Sequence, residues 1–404
     1  MKLTPPAPHA RTPAWQDLPA PQVELRDLLL APHRSSPADP DGVPGVSRPN
    51  APTTREEELQ DLLDRVRLSA LPDDRVAATA ARSIEALATP PGALGRLGEL
   101  AVQLAGIAGR SPAPVPVRPA VIVAAGDHGV HAQHVSPWPQ TVSAAVAGLL
   151  AEGRAGASAI ATANGVRTVV LDVGLATDPD RHPRLLHGRV VSGTRDASHT
   201  DALTAVEVAS AVLIGARVAT ALVVEGCDLL AIGDVGIGNT TTSAGLIAAL
   251  TGADPATVTG RGSGVDDDTL AHKARVVQQV VRRAATRDPL ALLAAVGGAE
   301  HAALVGVLLA ATVARTPVLL DGVVTDAAAL VATRLAPAVA GAILAGHRSP
   351  EPAATVALQA LGAQPLLDLD LRLGEGSGAL LAVPTVVAAA RLLHDVARRD
   401  EVVG

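Results

Sequence analysis

A chain of 404 residues has material for one large domain or two modest ones, and 48% hydrophobic residues exclude disorder throughout. A net charge of -7, with no basic run and no aromatic stacking platform, excludes a general affinity for nucleic-acid phosphates, so no nucleic-acid partner is expected. The apolar residues are nearly all Ala, Val and Leu: Phe and Tyr are absent, Met occurs once, Trp twice, and 31 Arg stand against 2 Lys.

The one cysteine, Cys227, has no internal partner for a disulfide, reads as a small buried hydrophobe and suits a reducing cytoplasm. No basic segment followed by an apolar one opens the chain. Apolar runs such as "AALVGVLLAATVA" (302–314) fall short of the roughly 20 residues needed to cross a bilayer. The expectation is a soluble cytoplasmic protein without a membrane span.

Residues 1–55 carry 12 prolines and the polar string "RSSPADPDGVPGVSRPNAPTT", a composition that predicts a disordered leader. Within it "VELRDLLL" has the pattern of a short amphipathic helix. From "REEELQDLLDRVRL" onward the apolar residues recur at helical spacing with acids in the first turn, which predicts helices over 55–108, broken at "TPPGALGRLGEL". Short β-branched runs then alternate with Ala-rich helical stretches. The expected strands are 120–126, 167–174, 229–236, 317–324 and 366–374, most ending in Gly or Asp-Gly before a helix. That pattern predicts an α/β fold with a mainly parallel, doubly wound, Rossmann-like sheet covered on both faces, with ligands bound beyond the strands' carboxyl ends. Residues 56–110 and about 385–404 are expected to form a small helical lobe beside an α/β core over about 115–384.

The βα loops hold the polar candidates. In "GDHGVHAQHVSPWPQ" (126–140), His128, His131 and His134 lie three apart, but glycines frame the segment as a loop and no acid or thiol follows at ligand spacing. A polar loop at the pocket edge fits better than a metal site. "AIGDVGIGNTTTSAGLIAAL" (231–250) runs from a strand through Gly236 and Gly238 to Asn239, Thr240 and Thr241 at the start of an apolar helix. Its free amides and hydroxyls suit a phosphate, and a tight turn capped by Asn or Thr is the alternative. A second glycine loop, "GRGSGVDDDTLAHKARVVQQVV" from Gly260, carries Lys273, the one lysine besides Lys2 and a compact counter-charge for phosphate. Asp266, Asp267 and Asp268 read as acids of a first helical turn. In "LDLDLRLGEGSGALLAVP" (367–384), Glu375 sits between glycines after an alternating run that contains Arg372 and Leu373. Spacing alone leaves it either a helix-start acid or a partly desolvated general base.

Taken together, these motifs resemble the nicotinate-nucleotide:dimethylbenzimidazole phosphoribosyltransferases of cobalamin biosynthesis, from about residue 85 to 395. The likeness is carried in order by "PPGALGRLGELAVQLA", "GDHGV", "GDVGIGNTTTSAGLIAALTG", "GRGSGVDD", "VGGAEHAALVG", "PVLLDGVVTDAAALVA", "GHRSPEPA" and "LRLGEGSGALLAVP". It implies transfer of phosphoribose from nicotinate mononucleotide to 5,6-dimethylbenzimidazole, with no metal and no cofactor, by a homodimer. It implies Glu375 as the catalytic base and Gly236, Gly238, Asn239, Thr240, Thr241, Lys273 and Arg372 near the donor. On the acceptor side it implies Asp234, Ser136, Trp138, Ser349 and Leu373. Asp234 stands where many members carry Glu, Ala145 where they carry an amide, and "DGVV" replaces "DGF". The altered pocket keeps open another acceptor (adenine, a phenol or another azole) or a catalytically weak homologue that binds a nucleotide or azole.

Overall fold

The computed structural model describes residues 54–179, 184–286 and 288–403, and the leader with its "VELRDLLL" segment lies almost wholly outside them. Among the described residues one parallel sheet forms from β1 (Pro119–Gly126), β2 (Arg167–Gly174), β3 (Leu185–His187), β4 (Leu229–Val235), β5 (Val318–Leu320) and β6 (Ile343–Ala345). The strand order is β3-β2-β1-β4-β5-β6. The order reverses between β1 and β4, which opens a crevice beyond their carboxyl ends. Both strands are buried along their whole length and feed two cores by alternation. Ala120, Ile122, Ala124, Leu230 and Ile232 face one side, while Val121, Val123, Ala125, Leu229 and Ala231 face the other.

The helices are α1 (Arg55–Arg67), α2 (Asp74–Glu85), α3 (Gly95–Ala108), α4 (Thr141–Glu152), α5 (Gly156–Ala163), α6 (Ala205–Val224), α7 (Asn239–Thr251), α8 (Asp267–Ala284), α9 (Pro289–Val296), α10 (Ala299–Val313), α11 (Val323–Leu335), α12 (Pro352–Leu361) and α13 (Ser377–Asp395), joined by shorter turns. On one face α2 to α5 pack with α13; on the other, α1 packs with α6 to α12. α1 starts where Thr54 accepts from Glu57 N and the Glu57 carboxylate accepts from Thr54 N, a reciprocal cap. The predicted break at the Pro-Pro-Gly turn separates α2 from α3. A second break precedes α2, where Asp73 accepts from the amides of Arg75 and Val76.

Two strand expectations are corrected. The run 317–324 pairs only over Val318–Leu320, because Asp321 and Gly322 turn at once into α11. The run 366–374 is not a strand: it makes one isolated bridge, Leu367 to His347, after which Asp370 takes a left-handed φ of 55°. Its alternating acids are exposed, so no second face is buried to fix a ladder. The three-residue strands β3 and β6 are too short to leave a periodic signal. The apolar-run argument also needs correcting, since α6 and α13 are long and apolar enough to cross a bilayer by length and composition. In the molecule α6 is mostly buried, and the inner side of α13 lies in one of the two cores.

With no Phe or Tyr to fill space, the helices approach each other closely. A Cβ on Gly215 of α6 would lie 1.9 Å from Ala303 O, and one on Gly306 of α10 would lie 1.8 Å from Val212 O. Gly306→Ala should therefore destabilise by about 1–3 kcal/mol through overpacking, despite alanine's advantage of ~1 kcal/mol in helix propensity. Urea unfolding checks this, and an unchanged or higher midpoint would refute the close packing.

Candidate active site

The crevice between β1 and β4 is built on backbone contacts. A Cβ at Gly236 would lie 1.9 Å from Gly126 O, and one at Gly233 would lie 2.2 Å from Gly376 N, so neither position admits a side chain. Asp127, fully buried after β1, accepts from Ser143 Oγ at 2.5 Å, Ala176 N at 2.9 Å and Ile237 N at 3.3 Å, tying the β1, β2 and β4 loops together. Burial raises its pKa against the pull of these bonds.

Of the residues expected on the donor side, those of the two glycine loops and Lys273 meet here. Gly238, with φ of 100°, caps α7; Asn239 Oδ1 accepts from Thr240 N at 2.8 Å, and Asn239 Nδ2 donates to Asp234 at 2.6 Å. Lys273 is 1% exposed and donates to Thr240 Oγ1 at 2.8 Å and Gly260 O at 3.0 Å. The second glycine loop thus closes onto the first, as anion binding from both requires. Thr241 Oγ1 is buried without a hydrogen-bond partner. Burial pushes the Lys273 ammonium down to about 8, and Glu351 opposes that fall. Glu351 accepts from Gly262 N at 2.8 Å and holds the glycine loop against α12. Asp266 caps α8 and Asp267 and Asp268 occupy its first turn, as expected.

Glu375 sits on the turn into α13 with φ of 61°, donates its N–H to Asp234 O at 3.2 Å and accepts at Oε2 from Ala157 N at 3.2 Å. Burial raises its pKa, and the Ala157 bond only partly offsets that rise. Asp234 lies beside it. Burial first, then the charges of Asp321, Glu300 and Glu375, hold Asp234 well above the usual carboxylate range.

His128 corrects the reading of its loop: it is fully buried rather than at a pocket edge. His128 Nδ1 lies 3.2 Å from Thr242 Oγ1, His301 Nε2 lies 2.8 Å from Ser243 Oγ, and Glu300 Oε1 sits 2.8 Å from His128 Nε2 and 2.6 Å from His301 Nδ1. These two contacts with Glu300 are close without being aligned as hydrogen bonds. Burial pushes the Glu300 pKa up, but the two histidines outweigh it and the net shift is downward. These three residues bring ligand-type atoms within 4.8 Å of one another. Both His301 nitrogens are already engaged, Nδ1 by Gly298 N–H at 3.2 Å and Nε2 by Ser243, which suits a clamp under α7 better than a coordination sphere. His131, bonded to Trp138 O, and His134 belong to a separate surface turn.

The remaining expected residues are less closely engaged. Ser349 is buried and accepts from Glu351 N at 3.3 Å; Ser136 accepts from Trp138 N at 3.3 Å. Trp138, Arg372 and Leu373 are exposed, Leu373 lying over Gly156 at the start of α5. Sequence reasoning missed Asp127, Glu300, Asp321, His347 and Glu351. Their signal was weak but present: an acid or histidine immediately after a strand or at a helix start, in a motif otherwise read for its glycines.

The family model described as "Phosphoribosyltransferase" matches residues 70–403. A nicotinate-nucleotide–dimethylbenzimidazole phosphoribosyltransferase of Salinispora tropica is 52% identical over 344 residues, covering 81% of this chain and 94% of the relative. The protein of that name from Deinococcus radiodurans is 43% identical over 350 residues, covering 85% and 94%. The crystal structure of CobT from Thermus thermophilus superposes with a TM-score of 0.78 at 43% identity, covering 81% of this chain and 98% of that one. The chain is therefore a member of the phosphoribosyltransferase family that its sequence motifs resemble.

Proposed function

We propose that the chain transfers the 5-phosphoribosyl group of nicotinate mononucleotide to 5,6-dimethylbenzimidazole, giving α-ribazole 5'-phosphate and nicotinate. Its family membership and the names of its relatives support the reaction; the observation that carries the mechanism is a buried Glu375 with raised pKa next to two glycine loops joined through Lys273. The phosphate occupies the α7 N-terminus, with Thr240, Thr241 and Lys273 as donors. One ring nitrogen of the acceptor attacks C1', the C1'–pyridinium bond breaks with its electron pair returning to the pyridine nitrogen, and Glu375 Oε takes the proton from the acceptor's other nitrogen. The donor already holds a good leaving group, so alignment and proton removal are what the chain must supply. Asp234 lies toward the acceptor side, with Ser136, Trp138, Ser349 and Leu373 around the ring and Arg372 toward the donor. A homodimer acting in the cytoplasm completes this reading, in keeping with a single buried free thiol, Cys227.

Glu375→Gln is expected to keep nicotinate mononucleotide affinity while lowering turnover by about 10²- to 10⁴-fold. Steady-state kinetics with calorimetric donor binding checks this, and near-normal turnover would remove Glu375 from the role. Lys273→Met should raise the donor KM by about 10- to 100-fold, the cost of a charge-assisted bond to phosphate. The same change should stabilise the ligand-free protein at neutral pH. A lysine whose pKa falls from 10.5 unfolded to about 8 folded binds fewer protons in the folded state, so its penalty is complete below 8 and is relieved between 8 and 10.5. Denaturant midpoints of the two proteins should therefore differ most below pH 8 and converge as the pH rises toward 10.5; a pH-independent gap would contradict the buried charge.

A further inference from the structure

Glu375 immediately precedes the 19-residue helix α13, whose N-cap is Gly376. Free amides and the dipole at a helix N-terminus favour a carboxylate's charged form and lower its pKa, so a base placed there loses proton affinity. The α13 amides, however, are not given to Glu375. Asp321, at the carboxyl end of β5 and 1% exposed, takes them: Oδ2 accepts from Gly376 N at 3.1 Å, and Oδ1 from Gly378 N at 2.7 Å and Ala379 N at 3.3 Å. Glu375 keeps a single bond, from Ala157 at the start of α5. The Asp321 bonds also span the Gly376 joint, where consecutive left-handed residues, Glu375 at 61° and Gly376 at 82°, lift the glutamate off the helix.

We infer that Asp321 is a positioning residue for Glu375: by occupying the α13 N-terminus it fixes the left-handed turn and keeps the helix from claiming the glutamate's charge. This rests on the reading of Glu375 as the base. Other charged and titratable groups surround the pair. Asp234 faces it from β4, with Glu300 of α10 acting on Asp234 and Asp321 acting on Asp326 of α11; His347, after β6, has Nε2 3.6 Å from Asp321 Oδ1. Asp321 itself is pushed up to about 7 by burial, against its three amide bonds and with Glu375's charge adding to the rise.

The test is the pH profile of kcat/KM for the full chain and for Glu375→Gln, Asp321→Asn and Asp321→Ser, with nicotinate mononucleotide and dimethylbenzimidazole as substrates. Asn keeps an acceptor oxygen without the charge, and Ser keeps a capping hydroxyl. Both neutral variants should move the acidic limb down by on the order of one pH unit, the scale of a helix-end effect, and lower turnover less than Glu375→Gln does, with donor KM unchanged. A lower plateau with an unmoved acidic limb means that Asp321 only supports the fold, and overturns the inference. The same holds if neither neutral variant yields folded protein. Near-normal turnover in Glu375→Gln would instead overturn the reading of the base, leaving the two failures distinguishable.

Discussion

The site depends on backbones that touch with nothing between them. At the β1/β4 reversal the chain after β4 lies against Gly126 O, and the chain entering α13 lies against Gly233. Those two approaches put the loop at 236–241, the Asp234 carboxyl and the Glu375 turn within one crevice. A methyl group at Gly236 or Gly233 would force them apart, and no rotamer change relieves a clash with main chain. The glycines of these motifs act as spacers of zero thickness, and the polar groups inherit their geometry from them.

Within that frame the charges are sorted. The described cation of the interior, Lys273, sits with the two glycine loops. The acids Asp234, Glu300, Asp321, Asp326 and Glu375 cluster around the strands' carboxyl ends. A substrate with an anionic phosphate at one end and a cationic pyridinium ribosyl centre at the other matches this polarity along its length. Burial is what makes the sorting effective, since the same charges in water would be screened within about 10 Å. The acids also differ in proton affinity by environment: Glu300, between two histidines, is driven down, while Asp234, with an amide as its one close partner, is driven up. One set of side chains thereby spans both low and high proton affinities.

Much of this was legible in the residues. Strands β1, β2 and β4 read correctly because continuous β-branched runs ending in glycine have few other uses, and the meeting of Thr240 with Lys273 followed from two glycine loops opening helices. What did not read was set by tertiary contact. "LDLDLRLG" alternates like a strand, yet has only a brief bridge to His347 beside it, so the period says nothing about pairing. Asp321 and Glu351 matter because of the amides they meet 55 and 89 residues away in sequence, which no local pattern encodes. Glu375 was undecidable between helix-start acid and base for the same reason: its state turns on who else takes the helix amides.

The missing aromatic residues leave one further mark. Trp138 is the only indole among the described residues, and it stands half-exposed on the loop that follows β1; Trp15 lies in the leader, and no tyrosine competes with either. Intrinsic ultraviolet fluorescence is therefore reported by just two rings, one of them on the segment between β1 and α4. A protein truncated before residue 54 would carry a single natural fluorophore, half-exposed after β1, and would need no label for changes around that loop to be followed.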